Sequence, residues 1–418
     1  MKQPVPFSPY QKLAITVLAL TQFTVILDFM VMSPLGDFLM KSLNLHPNQF
    51  GIAVSVYAFS AGVSGLLTAG FADKFDRKKL LLFFYTGFIT GTVLCGLSHS
   101  YTMLLIARLI TGLFGGVIGS ISLAIVTDLF AIEQRGRAMG FMQMGFSASQ
   151  VLGIPIGLYV ANLWGWQSAF IMVAGIAIVV ALIVLFKLQP VTKHLALKQE
   201  RTAFKHLLHT VAKRNYRIGF TATALLFIGG FMMMPFSSAF AINNLHVTAK
   251  QLPLLFMVSG VSSLVIMPLV GKLSDRIDKY KLFVIASVYM MVIIVLYTNL
   301  TAQPLWFVMM FNVLMMAGIF SRMIPASALT TSIPDMQDRG AFMSINASLQ
   351  QIAGGVAAAV AGSIVVQKTK YSPLEHYNTL GYLIVCISCL TIVLLYRVSK
   401  MIKAKNIKRP EVVQEMVV

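Results

Sequence analysis

Long apolar runs recur along the chain and alternate with short segments that carry most of its charged residues. Each run has about 20 residues or more, the length that an α-helix needs to cross the hydrocarbon core of a bilayer. Helices satisfy their own backbone hydrogen bonds at that depth, whereas a membrane β-barrel shows short alternating segments. The pattern predicts an all-α membrane protein with twelve transmembrane spans, at residues 12–36, 48–72, 80–98, 101–126, 138–162, 166–187, 217–242, 250–272, 282–300, 303–328, 341–366 and 375–396.

Two charged motifs occur twice with almost the same spacing. VGKLSDRIDKYKLF at 270–283 aligns with TAGFADKFDRKKLL at 68–81 at an offset of 202 residues. Likewise, 338–340 (DRG) matches 134–136 (QRG) at an offset of 204 residues. Such repeats are typical of secondary transporters. They predict two pseudo-symmetric six-helix halves, 1–187 and 217–396, joined by the connection 188–216 and followed by a basic tail, 397–418.

The connection between the halves contains a basic amphipathic pattern. Apolar residues recur there at helical spacing and are flanked by Lys205, Lys213 and Arg214; they are Ala203, Phe204, Leu207, Leu208, Val211 and Ala212. A helix of this kind is predicted to lie on the inner leaflet of the membrane. A flexible charged linker is the alternative.

The distribution of basic residues predicts the orientation of the chain. Hydrophobic residues make up 57% of the sequence and charged residues 11%, and the formal net charge is +19. With the N-terminus inside, the cytoplasmic segments hold 28 of the 33 Lys and Arg residues. This positive-inside pattern places both termini in the cytoplasm, in a plasma membrane of the bacterial inner-membrane type. The basic charge therefore reports topology, and no nucleic-acid surface is predicted.

No metal site, cofactor site or enzyme active site is predicted. Cys95, Cys386 and Cys389 all fall in apolar helices, where packing is the favoured interpretation. His206 and His209 lie in a basic segment and are interpreted as interfacial. The sequence offers no nucleophile–base–acid set and no phosphate-binding loop.

The stretch TAGFADKFDRKK resembles the signature G-x-L-a-D-R-x-G-R-R/K between the second and third spans of the major facilitator superfamily. Asp73 and Arg77 match the signature, whereas Ala69 and Asp76 stand where the family usually has glycine, as does Asp278 in the second copy. The resemblance extends over nearly the whole chain and points to the twelve-helix drug:proton antiporter and sugar-efflux branches.

This resemblance implies a cytoplasmic gate. In the family, the signature loop joins the cytoplasmic ends of the two halves when the carrier faces outward. Asp73 would receive backbone N–H groups at the start of a helix in the other half, and Arg77 would pair with Asp128 at the inner end of span 4. Asp275 and Arg276 would be the gate residues of the second copy. Topogenic charge alone would not account for the acidic residues.

Glycine motifs in spans 4 and 5 add to the resemblance. LLIARLITGLFGG at 104–116 resembles a family motif with Arg108 and Gly112, and Gly112 with Gly116 forms a small-x-x-x-small pair for close helix contact. GFSASQVLGIPIG at 145–157 resembles the exporter-associated glycine–proline signature in altered order, with Gly153, Pro155 and Gly157. That motif favours export, and glycine packing without any direction of transport is the alternative.

One acidic residue is predicted to lie well inside the membrane. Of the 14 Asp and Glu residues, Asp28 alone sits deep in a span, roughly 12–15 Å from the outer end. Arg108 lies at a similar depth in span 4, ~9 Å from its outer end. Intramembrane charges are costly and mark functional sites. Asp28 and Arg108 are therefore predicted to couple transport to protons, and a static structural ion pair is the alternative.

The second half lacks the arginine of span 4. Asn312 replaces Arg108 there, and Arg322 appears further along span 10. Arg322 is predicted either to face the cavity and bind an anionic or hydroxyl-rich substrate, or to extend to the inner interface. Polar residues on spans 5 and 11 are predicted to line the same cavity with Asn312 and Arg322: Gln143, Gln150, Asn346 and Gln350.

Together these patterns predict a proton-coupled exporter of a small organic compound that works by alternating access. Its expected partners are the small-molecule substrate, protons and the lipid bilayer, and it is expected to be a monomer without cofactors. Proton-coupled uptake of a metabolite is the alternative. A non-transporting sensor on a carrier scaffold is disfavoured because only 22 residues follow the last span.

Overall fold

The structure is a computed structural model that describes residues 6–68, 72–192, 195 and 203–415. Of Asp73 and of residues 203–205 and 406–415 it describes the backbone alone. These parts of the chain are almost entirely helical, and the one strand-like pairing among them is a bridge between Val366 and Glu375. The predicted all-α membrane fold is confirmed.

The first half contains eight helices, two pairs of which make single membrane-crossing segments. A π-helical turn at Ser149–Gly153 joins α6 to α7 into one continuous span. The helices are α1 (Pro9–Val31), α2 (Gly36–Ser42), α3 (Pro47–Thr68), α4 (Arg77–Gly96), α5 (Tyr101–Leu129), α6 (Ile132–Ala148), α7 (Ile154–Trp164) and α8 (Trp166–Lys187).

The second half repeats this order. It follows α9 (Ala203–Ala212) and includes a helix that continues through most of the predicted tail, to Glu415. The helices are α10 (Arg214–Phe231), α11 (Ser237–Asn243), α12 (Leu252–Arg276), α13 (Lys279–Thr298), α14 (Leu305–Thr330), α15 (Arg339–Ile364) and α16 (Tyr377–Glu415).

Eleven helical segments of the described chain are long and apolar enough to cross a membrane. The predicted seventh span, 217–242, is divided between α10 and α11, and α10 carries Arg214 and Arg217 in its first turn. The first span is divided in the same way between α1 and α2. Each break contains a proline, Pro34 or Pro235, which cannot donate a helical hydrogen bond. The shared break supports the internal repeat.

The departure of Asp76 and Asp278 from the family's glycine has a local cause. Asp76 is the N-cap of α4, and its side chain accepts a hydrogen bond from the Lys78 N–H at 2.8 Å. Asp278 is the N-cap of α13 and accepts from the N–H groups of Tyr280 and Lys281, each at 3.0 Å. Both carboxylates thus satisfy backbone donors that a helix start leaves unpaired. The hydrogen bond from the Lys281 N–H lowers the pKa of Asp278, and the hydrogen bond from Lys403 lowers it further.

The two ends of the described chain and the connection lie on one face of the molecule. The N–H of Gln189 donates to the Tyr10 hydroxyl at 3.0 Å, and Lys405 forms an ion pair with Asp335 at 2.6 Å. We call this face the linker side and the opposite face the far side. The membrane topology predicted from the basic residues would make the linker side cytoplasmic.

The two halves contact each other mainly through α3 and α15. The Ser55 hydroxyl donates across this contact to the carbonyl of Gly355 at 2.8 Å. A Cβ on Gly51 would lie 2.6 Å from the carbonyl oxygen of Ala358, so only glycine allows the backbones to approach this closely. A second contact joins the π-helical turn to α12, where the Ser263 hydroxyl donates to Gln150 Oε1 at 2.9 Å.

The connection contains the predicted amphipathic helix, and α9 packs on the second half. Leu207 is buried against the start of α15, and His206 Nε2 lies 3.5 Å from Asp338 Oδ1. Leu208 and Val211 on the other side of α9 are exposed. The helical interpretation therefore holds for 203–212, while residues 196–202 lie outside the described residues. Contact of the exposed face with the inner leaflet stays a prediction.

Candidate functional site

Asp28 and Arg108 form an ion pair inside the first half. Arg108 Nη1 donates to Asp28 Oδ2 at 2.9 Å, and neither side chain has any exposed surface. Asp28 lies on the face of α1 that also carries the buried hydroxyls of Thr21 and Thr24, at helical spacing. The predicted proximity of the two charges is what the structure shows, although their role in coupling is not tested by geometry alone.

Neighbouring groups provide hydrogen-bond partners for Asp28 but not for every N–H group of Arg108. The Thr92 hydroxyl donates to Asp28 Oδ1 at 3.1 Å, so both carboxylate oxygens have partners. The guanidinium carbon of Arg108 lies 4.4 Å from the centre of the Tyr57 ring, a cation–π contact. Nε and Nη2 of Arg108 are buried without partners among the described residues. A buried pair with donors left over is costly to keep, which argues for a use beyond stability.

The pair is enclosed within the first half and does not line an open cavity. Aromatic rings separate it from the second half: Phe29 packs on Tyr57 at 5.3 Å between centroids and on Phe231 of α10 at 6.3 Å. The two charges therefore do not face the opening between the halves in this conformation. Close packing is the reason, because a Cβ on Gly112 would collide with the backbone of Tyr57.

The other glycine motif residues also serve helix contacts. Gly116 lies against the backbone of Ala61, and Gly153 lies against Leu27, where a Cβ would come within 2.7 Å of a methyl group. Gly157 similarly faces Val31, and Pro155 stands in the first turn of α7. These positions are consistent with the packing interpretation of GFSASQVLGIPIG. They carry no information on the direction of transport.

The predicted gate residues of the first half lie at the linker side. Arg77 Nε donates to Asp128 Oδ2 at 2.6 Å, so the predicted pairing of α4 with α5 is present. Asp73 lies in a single 3₁₀ turn, Ala72–Lys74, and its side chain is outside the described residues. Asp275 and Arg276 are exposed at the end of α12 and form no ion pair with any residue that the structure describes.

A cavity of about 300 Å³ separates the two halves next to this gate. The first half contributes Thr68, Arg77 and Ser120, and the second half contributes Gly340 and Ala341 from the first turn of α15. His206 and Leu207 of α9 close one wall. The signature loop and the N–H groups at the start of α15 therefore stand on opposite walls of one opening.

The far side carries a polar contact between the halves that the sequence analysis missed. Asn243 Nδ2 of α11 donates to Asp37 Oδ1 of α2 at 2.7 Å, and Lys41 Nζ donates to Asp37 Oδ2 at 2.7 Å. The Ser238 hydroxyl adds a bond to the Ser33 carbonyl at 2.9 Å. The i,i+4 spacing of Asp37 and Lys41 was a readable signal. The halves are thus joined on the far side and separated on the linker side.

The predicted cavity residues do not converge. Gln143 is exposed, Gln150 is bonded to Ser263, and Asn312 donates to the Val308 carbonyl of its own helix at 2.9 Å. Asn346 is buried with an unpaired Oδ1, and Gln350 lines a separate small cavity within the second half.

Arg322 departs furthest from its prediction. Its side chain packs inside the second half, where Nη2 donates to the Ser388 hydroxyl of α16 at 3.1 Å. Only 4% of its surface is exposed. The residue therefore neither lines the opening between the halves nor reaches the inner interface, because α13 and α16 cover it.

Comparison with known proteins places the chain in a family. The model of the Major Facilitator Superfamily matches residues 18–359 and 219–412. An uncharacterised MFS-type transporter of Bacillus subtilis strain 168, YbcL, is 24% identical over 382 residues, which are 90% of this chain and 95% of the relative. A probable sugar efflux transporter of Helicobacter acinonychis strain Sheeba is 26% identical over 60% of this chain and 63% of its own length.

Solved structures support the same fold. A bacterial homologue of the human lysosomal transporter Spinster, inward-facing and unoccupied, superposes with a TM-score of 0.75 at 15% identity, covering 96% of this chain and 99% of that chain. The inward-open xylose transporter XylE of E. coli gives a TM-score of 0.73 at 17% identity, covering 91% and 95%. The repeated six-helix halves, the signature motifs and these matches together show that the chain belongs to the Major Facilitator Superfamily of membrane transporters.

Proposed function

We propose that this transporter exports a small organic compound in exchange for protons, by alternating access. The observation that carries the proposal is the buried pair of Asp28 and Arg108. Asp28 is the one carboxylate that the sequence places deep in a span, and a titratable group at that depth is a functional candidate by default. A transporter that moved its substrate down a gradient without ions would have no need of it.

Protonation of Asp28 would change the packing of α1 against α5. While Asp28 is ionised, it holds Arg108 and accepts from Thr92. A proton on the carboxyl group removes its charge and thus the ion pair, and leaves the Arg108 guanidinium against the rings of Tyr57 and Phe170. The first half would then favour a different arrangement of these helices. Proton binding and conformation are thus coupled through one buried contact.

Water must reach Asp28 for the proton to exchange, and the aromatic rings control that access. Tyr57 and Phe29 cover the pair in the present conformation. A shift of the two halves around the contact of α3 with α15 would move Phe231 away from Phe29. We infer that the pair is sealed while the linker side is open and becomes hydrated in another state of the cycle.

The linker-side cavity and the far-side contact would provide the two gates. Closing the cavity would bring the signature loop to the start of α15, where unpaired N–H groups favour a carboxylate such as Asp73. Opening the far side would break the bonds of Asp37 with Asn243 and of Ser238 with Ser33. Ion pairs and single hydrogen bonds suit gates because each contributes only about 1 kcal/mol.

The proposed direction and substrate class rest on the relatives. Those named as probable sugar efflux transporters favour export. The basic residues of the linker side favour a cytoplasmic location for that face. Sugars and other small hydroxyl-rich compounds are therefore the first substrates to try.

A transport screen in proteoliposomes tests the proposal. Purified protein would be reconstituted, and labelled sugars, sugar alcohols and amphiphilic drugs would be offered with an inward or an outward pH gradient, or with none. We expect accumulation of at least one compound only when protons flow in the opposite direction. Accumulation in the same direction as the proton flow would establish the uptake alternative, and accumulation that ignores the gradient would refute coupling.

A further inference from the structure

The second half contains a buried arginine for which the proposed transport cycle has no use. Arg322 of α14 makes one hydrogen bond, from Nη2 to the Ser388 hydroxyl at 3.1 Å. Its guanidinium carbon lies 5.8 Å from the centre of the Phe283 ring. Nε is buried and has no partner among the described residues.

No side chain that the structure describes forms an ion pair with this arginine. The six membrane-crossing segments of that half contain a single acidic residue, Asp275, which is exposed at the linker end of α12. In the first half, Asp28 is already paired and enclosed. Arginine does not lose its proton in proteins, and burying an unpaired ion costs several kcal/mol even after relaxation. The guanidinium thus has no counter-charge among the described side chains, and an anion from outside the polypeptide would supply one.

Hydroxyl donors stand close to the guanidinium. Ser287 of α13 is fully buried with an unpaired Oγ, and it lies one turn after Phe283 on the same face. Farther along α13, Met290 packs against Gly318 of α14. Ser287 thus sits between two residues of α13 that both touch α14 near Arg322. Ser287 and Ser388 thus place buried hydroxyls on the two helices that cover Arg322.

A small cavity lies beside the next turn of α14, toward the linker side, and is not lined by Arg322, Ser287 or Ser388 themselves. It measures about 130 Å³ and is bordered by Met323 and Ala326, the residues next to Arg322 and one turn beyond it. Thr223 contributes a buried hydroxyl without a partner, and Gln350 contributes an amide. A water molecule needs ~30 Å³, so the cavity has room for a small ion with part of its hydration shell.

We propose that Arg322, with Ser388 and Ser287, binds a small monovalent anion inside the second half. A halide ion and the carboxylate group of a small organic acid share the chemistry that such a site recognises. Bound there, the anion would supply the counter-charge that the helices lack. It would also hold α13, α14 and α16 together, because each contributes one group.

Thermal unfolding in different sodium salts tests this site. The full-length protein in detergent would be heated at constant ionic strength while sodium gluconate, a bulky anion, is replaced stepwise by chloride or by acetate. We expect a saturable rise of the apparent Tm, since a ligand that binds only the folded state stabilises it. Saturation at lower chloride than acetate would identify a free halide as the ligand, and the reverse order a carboxylate.

Matched variants separate the site from general salt effects. Arg322→Gln should abolish the dependence on the anion, whereas Arg217→Gln, which removes an exposed arginine of the same half, should leave it unchanged. Ser388→Ala should raise the half-saturating concentration several-fold. Should Arg322→Gln not fold, Arg322→Lys keeps the charge but loses the planar fork, and it should also bind more weakly.

Direct binding provides a measurement that needs no variant. The ³⁵Cl NMR line of chloride should broaden in the presence of wild-type protein and narrow again when bromide is added as a competitor. The proposal is overturned by a Tm that is the same in chloride, acetate and gluconate, by a chloride line that the protein does not broaden, or by an anion dependence that persists in Arg322→Gln.

Discussion

Arg108 of the first half lies fully buried against Asp28, whereas the equivalent position of the second half is Asn312, a neutral residue that bonds to Val308 of its own helix and to Tyr297 of α13. Both halves nevertheless form the same order of helices, with the same break near a proline and the same aspartate cap on the helix after the signature loop. The fold therefore does not need the ion pair. Since the first half has the ion pair although the fold does not need it, we assign the pair to function.

On the linker side, the charged contact lies in the second half and the neutral contact lies in the first half. In the first half, Gln11 Nε2 donates to Gln134 Oε1 at 3.1 Å, a neutral contact between the chain start and α6. At the equivalent place of the second half, the Tyr216 hydroxyl donates to Asp338 at 2.8 Å. Lys213 and His206 contact the same carboxylate. The second half thus anchors the connection ionically, while the first half holds its ionic contacts in the core and at the gate.

The largest difference between the halves should appear when the position of Arg108 is truncated. Arg108→Ala leaves Asp28 buried without a cation, which typically costs about 3–5 kcal/mol. Asn312→Ala removes the hydrogen bonds of a neutral side chain and should cost about 1 kcal/mol for each. The apparent Tm of the two variants, measured in the same detergent, provides the comparison.

A double variant sharpens this result. Asp28→Asn in the Arg108→Ala background removes the second charge and should recover much of the lost stability. Equal destabilisation by Arg108→Ala and Asn312→Ala would show that the pair contributes nothing special to the first half.

Gate variants should have an intermediate effect that is confined to the first half. Arg77→Ala removes the contact with Asp128, and Arg77→Asp places two negative charges together. The pair is already formed while the linker side is open, so we expect its loss to loosen the linker ends of α4 and α5 by about 1–2 kcal/mol. Lys279 is the counterpart of Arg77 in the repeat, and Ser332 stands at the position of Asp128 in the alignment, so Lys279→Asp should have little effect.

Cysteine labelling is the measurement for the gate. Single cysteines at the linker ends of α3, α5 and α15, in a background without Cys95, Cys386 and Cys389, should react faster in the Arg77 variants. Adding Asp128→Arg to Arg77→Asp should restore part of the protection. Loss of transport without any change in labelling would mean that the stretch serves folding or insertion.

The anchoring of α9 should depend weakly on pH, and only in the second half. The hydrogen bond from Lys213 lowers the pKa of Asp338 below its ordinary value. The hydrogen bond from Tyr216 and the charge of His206 act in the same direction. When folding lowers the pKa of a carboxyl group, the ionised group stabilises the folded contact at pH values above its pKa in the unfolded chain. This stabilisation is lost as the pH falls through the pKa of the folded state. We expect lower protection against hydrogen exchange in 203–212 at acidic pH, relative to the intrinsic exchange rate at each pH.

A single substitution makes the second half resemble the first. Asp338→Gln should make the protection of α9 against exchange independent of pH over the acidic range, at the lower level. A pH dependence that survives in this variant would assign it to another group. The effect should stay below ~1 kcal/mol, because Lys213 is partly exposed to water.

The sequence allowed the spans and the repeat to be predicted because each rests on local information: about 20 apolar residues for a helix, and two charged motifs at a constant offset. The closeness of Asp28 and Arg108 followed from their similar depth. The enclosure of that pair did not, because the rotation of a helix about its axis depends on close packing such as that of Gly112 on Tyr57. Arg322 was misplaced for the same reason.

Contacts between the halves were the least predictable part. Asp37 meets Asn243 only because α2 and α11 come together on the far side, more than 200 residues apart in sequence. The N-cap role of Asp76 and Asp278 was local and could have been read from an aspartate directly before an apolar helical run. Depth and periodicity are thus visible in a sequence, whereas the partner across an interface is not.

The most direct test of the central claim is transport by the Asp28→Asn variant in proteoliposomes, with the compound that the screen identifies. Asparagine keeps the size of the side chain but carries no exchangeable charge, so it stands for the permanently protonated acid. We predict that accumulation driven by a pH gradient is lost, while exchange of labelled for unlabelled substrate without a gradient is retained. Gradient-driven accumulation at the wild-type level in this variant would contradict the account and leave the pair of Asp28 and Arg108 a structural contact.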